Sequence, residues 1–143
     1  DLKRFGLKFR NIITDEIVVA VGRDNDLALK PHINDEDLAN CNLTLSNNTF
    51  FHPENLKNKI ILNSHDYRLH ERYLSNNDCI CVLPKFIAKK VFDLERIKLL
   101  HYMPTIFHHS LLISAKNELL AEETLFYNAF SLFWERYNEE EKR

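Results

Sequence analysis

The stretch HDYRLHERYLSNNDCICVLPKF, residues 65–86, contains three elements in a fixed order. Its first part has aromatic and apolar residues at helical spacing and predicts a helix over about 66–75. The polar triplet 76–78 then predicts a turn, in which the two asparagines adopt positive φ and end the helix without glycine. Residues 79–83 (CICVL) predict a short buried strand that is closed by Pro84. This order is typical of a βαβ unit.

The rest of the chain continues this alternation. A continuously apolar, β-branched run at 15–22 (DEIVVAVG) predicts a buried strand that pairs in parallel. Asn34 is a good N-cap for a short helix over 34–40. Strands that alternate with helices predict an α/β fold with a mostly parallel sheet. Further strands are predicted at 41–46, 59–64, 96–103 and 105–116.

The last segment predicts an amphipathic helix from Leu119 to about Tyr137, followed by a frayed, solvated tail. Its apolar stripe either packs as ordinary core or meets a partner chain. The residues of the stripe are Leu125, Phe126, Phe130, Phe133, Trp134 and Tyr137.

Composition narrows the class of protein. The 143 residues suffice for one compact domain or two small lobes, and 45% of them are hydrophobic. The net charge is −2 and the basic residues are dispersed, which argues against a DNA-contacting surface. No apolar run approaches the ~20 residues that span a bilayer. Because the chain opens at Asp1 and its only methionine is Met103, we expect it to be a piece of a longer protein.

Three cysteines, Cys41, Cys79 and Cys81, indicate reduced thiols in the cytoplasm. Cys79 and Cys81 share one face of the predicted strand, where buried, apolar packing is expected. A metal site would need a second pair of ligands, and no such pair has the right spacing. A redox role would need an exposed thiol of low pKa, and no cationic neighbour is evident. No metal or cofactor is expected.

Catalytic chemistry has no positive support in the sequence. Asp66 and His70 are four residues apart on one predicted helix, but no recognisable motif places a nucleophile with them. An ordinary helix surface explains these residues better. The chain also contains no G-x-S-x-G, P-loop, G-x-G-x-x-G or H-E-x-x-H motif. We therefore do not expect an enzyme.

The order of elements resembles the effector-binding domain of LysR-type transcriptional regulators over nearly the whole chain. Residues 26–28 (DLA) stand where that family has HPLA, and residues 37–39 (DLA) match its DL helix. Residues 76–84 (NNDCICVLP) stand where the family has aGxGiaxLP. The two family glycines are absent here, so asparagine has to make the turn before the strand.

The resemblance implies an α/β, periplasmic-binding-protein-like fold with two lobes. The second lobe would be complete at 21–103, and the first would be partial, at 1–20 and 104–143. The implied function is regulatory: the chain senses a small carboxylate or amino-acid-like metabolite in the cleft between the lobes. It would act in the cytoplasm as a homo-oligomer and reach DNA only through an N-terminal domain that this chain lacks.

Carried onto this sequence, the effector-binding candidates lie after strands, where helix starts and free N–H groups converge. Hydroxyl and amide groups there suit carboxylate recognition, although the same residue types favour solvated turns and helix caps. Pro84 and Phe86 would form an apolar wall, with core packing as the alternative for Phe86. The candidates are Ser46, Asn47, Thr49, Ser64, Pro84 and Phe86.

Three other classes remain open. A fragment of a two-lobed solute-binding protein would have the same architecture, although unpaired cysteines argue against an extracytoplasmic protein. An enzyme of the same two-lobed type would need a catalytic group that converges on the cleft. An interaction domain without a ligand would have a packed face between its lobes.

Overall fold

The computed structural model describes residues 8–46, 59–76, 78–114 and 120–141. These segments contain both strands and helices, with a 3₁₀ turn at Asp26–Leu29. The elements are β1 (Lys8–Gly22), α1 (Asp35–Leu38), β2 (Asn42–Leu45), β3 (Ile60–Asn63), α2 (Tyr67–Asn76), β4 (Cys79–Pro84), α3 (Lys85–Val91), β5 (Ile97–His101), β6 (Phe107–Ser114) and α4 (Ala121–Glu141).

The chain divides into two compact units. The larger unit is Asp15–His108, and the smaller unit combines Asp1–Thr14 with His109–Arg143. β1 begins in the smaller unit and ends in the larger one. The larger unit contains β2 to β5 and α1 to α3, whereas α4 belongs to the smaller unit.

The strands of the larger unit are hydrogen-bonded in the order β3-β2-β4-β1-β5. β2 runs parallel to both β3 and β4, as expected for crossover connections. β1 runs antiparallel to both β4 and β5, so the prediction that it pairs in parallel was wrong. The apolar run in β1 indicates burial on both faces. A strand buried on both faces has the same composition whether it pairs in parallel or antiparallel.

Both faces of β1 are covered. Ile17, Val19 and Val21 belong to one core cluster, together with residues of α1 and β2. Val18 and Ala20 point to the opposite face and join a second cluster, which includes residues of α2, α3 and β4. Because side chains alternate along a strand, an uninterrupted apolar run is what a strand between two layers requires.

The start of α1 has the cap that the sequence predicted. Asn34 accepts a hydrogen bond from the Asp37 N–H at 3.0 Å, and the Asp37 side chain accepts one from the Asn34 N–H at 3.1 Å. This reciprocal capping box confirms the predicted start of α1.

At the end of α2, Asn76 does not have positive φ, contrary to prediction. Its Nδ2 instead donates to Arg72 O at 2.7 Å, which satisfies a terminal carbonyl. Asn77 lies outside the described residues.

In the smaller unit, β6 pairs with β1, and α4 continues to Glu141 rather than fraying after Tyr137. Glutamate is a good helix former, so this acidic end remains helical. Of the two interpretations left open for the stripe, ordinary core packing holds among its members only for Trp134, which is buried. The stripe residues pack on one another along the helix instead, as in the Phe126–Phe130 and Trp134–Tyr137 ring pairs.

Candidate functional site at the carboxyl rim

Three parallel strands of the larger unit end at one edge of the sheet, which we call the carboxyl rim. β2, β3 and β4 end there at Leu45, Asn63 and Pro84. Ser64 follows β3, and its N–H donates to the Leu45 carbonyl at 3.0 Å, which ties two of the ends together. Polar groups that follow the ends of parallel strands can converge on a ligand. Proteins with open α/β sheets therefore bind their ligands at this edge.

Ser64 is fixed at the start of α2. Its Oγ accepts a hydrogen bond from the Asp66 N–H at 3.0 Å, and its carbonyl oxygen lies 2.8 Å from His70 Nε2. Asp66 in turn accepts from the Arg68 N–H at 2.9 Å, so Asp66 is the residue that caps α2. A hydroxyl that accepts one bond still has a hydrogen to donate, so Ser64 can donate to a carboxylate.

His70 is buried and anchors α2 to the rim. The Ser64 carbonyl can only accept, so Nε2 of His70 carries the hydrogen in that bond. Nδ1 is also buried and has no hydrogen-bond partner among the described residues. The ring lies 5.7 Å from that of Tyr67, centroid to centroid. His70 therefore does not lie on the helix surface, and the prediction of an ordinary helix surface is wrong for this residue.

Ser46 follows β2 at the rim and is half-buried. Asn47 and Thr49, the other two candidates in this loop, lie outside the described residues. The hydroxyls of Ser46 and Ser64 thus follow neighbouring strands that are paired in parallel up to Leu45 and Asn63. This is the arrangement that the sequence predicted for these two serines, and their contact with a ligand stays a prediction.

The apolar wall predicted at Pro84 and Phe86 is only partly accessible. Pro84 is buried and stands at the N-cap position of α3. The Phe86 ring is half-buried, with Lys90 Nζ 5.9 Å from its centroid. The Phe86 N–H donates to Asp15 Oδ2 at 2.6 Å, so this amide is already hydrogen-bonded to a carboxylate of the protein. Burial raises the pKa of Asp15 above its ordinary value of 3.8, and its backbone hydrogen bonds oppose that shift.

The sequence interpretation missed a charged cluster at the same rim. β1 runs against β4 and β5, so Ile17 lies opposite Pro84, and Val18 lies opposite His101. Glu16 is therefore at the rim, where its carboxylate contacts Lys85 Nζ at 3.4 Å and also bonds to His101 Nδ1. The second ring nitrogen of His101 lies 3.2 Å from Thr105 Oγ1. The charged start of DEIVVAVG was visible, but only the antiparallel pairing brings Glu16 to this rim.

The opposite edge of the sheet holds a polar cavity of about 390 Å³. Gly22 ends β1 there, and a Cβ at this position would lie 2.2 Å from Leu74 O. Asn25 Nδ2 donates to Asp78 Oδ1 at 2.9 Å across the cavity wall. None of the sequence candidates lines this cavity. Its lining residues are Gly22, Asp24, Asn25, Asp26, Leu74, Ser75, Asn76 and Asp78.

The cysteines are placed as core residues. Cys79 and Cys81 are buried in one cluster, as their spacing predicted. Burial raises the pKa of Cys79 to about 11 and that of Cys81 to about 12, so both thiols stay protonated near neutral pH. Among the described residues, no group of three His, Cys, Asp or Glu side chains is arranged to hold a metal ion. No helix in the described segments is both long enough and apolar enough to cross a bilayer.

No family model and no curated protein matches the chain. Solved structures do match. The CcmR regulatory domain of Synechocystis PCC6803, in complex with 2-PG, is 15% identical with a TM-score of 0.70, covering 89% of this chain and 66% of that one. The QuiR effector-binding domain, in complex with shikimate, is 20% identical with a TM-score of 0.63, covering 94% and 66%. The regulatory domain of MetR, a LysR family regulator from N. meningitidis, is 13% identical with a TM-score of 0.70, covering 88% and 62%.

These likenesses confirm the predicted resemblance at the level of the fold. The chain has the α/β, periplasmic-binding-protein-like fold of the effector-binding domains of LysR-family regulators. It spans about two thirds of the length of the matched CcmR and QuiR domains. The matched proteins are transcriptional regulators, and they give no support to the solute-binding alternative.

Proposed function

We propose that this chain is the effector-binding portion of a LysR-type transcriptional regulator and senses a small metabolite at the carboxyl rim. The observation that carries the proposal is the fold likeness, which extends over 88–94% of the chain in the three structures named above. Two of those structures hold a small molecule, 2-PG in one and shikimate in the other. Fold alone does not fix function, so the site itself has to carry the rest.

The polar groups at the carboxyl rim suggest a class of ligand. We propose a small carboxylate or an amino-acid-like metabolite, received by the hydroxyls of Ser46 and Ser64 and by groups at the start of α2. Asn47 and Thr49 remain candidates in the same loop, and Pro84 and Phe86 remain candidates for the apolar wall. The convergence of three parallel strand ends supports this position. The cleft between two lobes, as the place where the ligand binds, stays a prediction.

The lobe assignment is also a proposal. Residues 21–103 would be the second lobe, and residues 1–20 with 104–143 would be part of the first. The division of the chain into two compact units supports a two-lobed arrangement, with boundaries at Thr14/Asp15 and His108/His109. Ligand binding would change the balance between two arrangements of such lobes only through a difference in affinity for the two.

The signal would pass to DNA-binding domains that lie outside this chain, in a cytoplasmic homo-oligomer. The exposed apolar face of α4 supports self-association. Leu125 is 72% exposed, and Phe126 and Phe133 are 52% and 54% exposed. Exposed apolar surface on this scale is typical of protein–protein contact sites. We therefore propose that α4 contributes to the contact between copies.

The experiment that tests this function is a ligand screen with site variants. Shikimate, glycolate, succinate and glutamate are titrated into the chain by calorimetry, and each is compared with a neutral amide or ester analogue. We expect at least one carboxylate to bind, and Ser64→Ala to weaken that binding about tenfold, since a hydrogen bond to a charged group is lost. Ser131→Ala, on α4 in the smaller unit, is the matched control and should leave binding unchanged.

Ser64 also holds the start of α2, so each variant is first checked for helix content and for its free energy of unfolding. A loss of binding in a folded Ser64→Ala chain supports the rim. If no member of the panel binds to the wild-type chain, or if Ser46→Ala and Ser64→Ala both bind as tightly as the wild type, the proposed function at this site is wrong.

A further inference from the structure

Glu16 is a carboxylate held between two basic side chains at the carboxyl rim. One of its oxygens lies 3.4 Å from Lys85 Nζ, and the other bonds to His101 Nδ1. The Glu16 side chain is 19% exposed, whereas those of Lys85 and His101 are each 44% exposed. The anion is thus the least accessible member, and its two partners reach out from it into solvent.

We propose that Lys85 binds the carboxylate of the effector, and that Glu16 is the internal anion that holds Lys85 when no effector is bound. This inference rests on the proposed function and names the residue that selects the ligand's charge. An effector carboxylate replaces Glu16 as the partner of Lys85, while Glu16 keeps its bond to His101. A neutral or cationic ligand cannot make this exchange.

The geometry of the Lys85 contact suits an exchange of partners. A distance of 3.4 Å is long for a charge-assisted hydrogen bond, which is normally about 2.7–2.9 Å. A half-exposed lysine also has three N–H donors on a flexible stem, so it can reach a second anion without backbone movement. The Glu16–Lys85 contact is therefore a long one, which a second anion can replace.

The charges around Lys85 also favour an anion. Lys89 lies four residues further on, one turn along α3, and the pKa of Lys89 is lowered by burial and then by the positive charge of Lys85. Asp15, whose carboxylate also interacts with the charge of Lys85, is engaged by the N–H groups of Phe86 and Glu16. An incoming carboxylate on Lys85 would therefore offset the positive charge of the two lysines.

The position of Glu16 links the exchange to the chain connection between the two units. Glu16 lies on β1, two residues after the boundary at Thr14/Asp15, and Lys85 is the first residue of α3. When the effector takes Lys85, β1 loses the side-chain contact of Glu16 with α3 and keeps the hydrogen bond from the Phe86 N–H to Asp15. Occupancy of the rim is thereby converted into a change in how the connecting strand is held.

The first test separates charge from shape. Glu16→Gln keeps the size of the side chain and removes the competing anion, so we expect any carboxylate of the panel that binds the wild type to bind about tenfold more tightly. Lys85→Gln should weaken the same carboxylate about tenfold. Neutral amide analogues should show neither change, because they do not compete with Glu16 for charge.

A second ion pair of the larger unit provides the matched control. Arg96 Nη1 lies 3.3 Å from Glu71 Oε1, with side-chain exposures of 53% and 16%, close to those of Lys85 and Glu16. Glu71→Gln should leave carboxylate affinity unchanged. If Glu71→Gln and Glu16→Gln act alike, the effect is one of overall charge and the inference is wrong.

The second test does not depend on knowing the effector. Glu16→Ala leaves room for an external carboxylate between Lys85 and His101. Sodium acetate should raise the melting temperature of Glu16→Ala relative to sodium chloride of equal ionic strength, and acetamide should not. The double variant Glu16→Ala/Lys85→Gln should lose the acetate effect. Absence of any acetate effect in folded Glu16→Ala overturns the inference.

The two proposals can fail separately. If a panel carboxylate binds the wild type and depends on Ser64, but is insensitive to Glu16→Gln and Lys85→Gln, then the inference is wrong and the proposed function stands. If no panel member binds the wild type, the proposed function is wrong, and the role of Lys85 towards an effector falls with it, whatever acetate does.

Discussion

Two helices of this protein carry aromatic residues at helical spacing, and they end in different environments. In α2, His70 and Leu74 are buried, with Leu74 only 1% exposed. In α4, Leu125 and Phe133 are 72% and 54% exposed, although both helices show apolar residues at helical spacing. α2 packs on a sheet that is covered on both faces. α4 is twice as long and buries only Trp134 of its predicted stripe.

Periodicity therefore indicates which side of a helix is apolar, but it does not supply the surface that buries that side. α2 is brought against the end of β1, where Gly22 allows its backbone to approach Leu74 O closely. The aromatic rings of α4 instead stack on neighbours of the same helix, as Phe130 does on Phe133 with centroids 6.0 Å apart. Such pairs contribute less than burial in a core.

The largest expected effect separates the two helices directly. Leu74→Ala should lower the free energy of unfolding by about 2–5 kcal/mol, because it leaves a cavity in a packed core. Leu125→Ala, the matched change on α4, should alter it by less than about 0.5 kcal/mol. Urea denaturation of both variants measures this difference. Equal losses would mean that the exposed face of α4 is buried in solution.

Gly22→Ala tests the contact that positions α2. The added Cβ would meet a backbone carbonyl oxygen at 2.2 Å, which no side-chain rotation can relieve. We expect a loss of about 1–3 kcal/mol in the free energy of unfolding. An unchanged stability would show that α2 does not approach β1 so closely.

Phe133→Glu tests whether α4 is covered by a second copy of the chain. If it is, a charge at this exposed position should raise the dissociation constant of self-association at least about tenfold, or about 1.4 kcal/mol. Sedimentation equilibrium over a range of concentrations measures it, with Tyr73→Glu on α2 as the control. A wild-type chain that stays monomeric at high concentration contradicts the proposed role of α4.

The caps of the two helices offer a smaller contrast. Asp66 accepts from the Arg68 N–H, so Asp66→Ala should cost about 1 kcal/mol, whereas Asp66→Asn keeps an acceptor and should cost little. α4 has no such side chain before it, since Leu120 precedes the helix and its N–H donates to Glu123 at 2.7 Å. Stability measurements on both Asp66 variants decide whether the cap contributes as its geometry indicates.

The smallest effect concerns Asp15, a half-buried carboxyl group of the larger unit. The pKa of Asp15 is raised in the folded state, chiefly by burial, so the folded chain holds this proton at a higher pH than the unfolded chain. The contribution of Asp15 to stability therefore falls as pH rises from about 3.8 through the raised value. Asp15→Asn should gain stability relative to the wild type over that range. A difference that is constant with pH would refute this.

Much of the fold could be predicted because its signals are local. The capping box at Asn34 and Asp37 depends on four consecutive residues, and the short apolar runs at 15–22 and 79–83 predict two of the strands. The direction of β1 could not be predicted, since a strand buried on both faces shows no preference for its partners' direction. Asn76 ended α2 through a side-chain bond to Arg72 rather than through positive φ, and both options look alike in sequence.

The candidate site shows the same division. Ser46 and Ser64 follow strands that the sequence identified, so their place at one rim could be predicted from parallel pairing. Glu16, Lys85 and His101 could not be found, because they come from three elements far apart in the chain that meet only through the antiparallel pairing of β1. Distant contacts of this kind leave no periodic signal in the residues that make them.

The elements, their order and their apolar faces follow from local sequence, because hydrogen bonding, capping and side-chain periodicity act over a few residues. Which faces are covered, which way β1 runs and which charges meet at the carboxyl rim follow from tertiary packing. Those outcomes depend on the packing of distant segments, where one strand direction changes the neighbours of every residue on it.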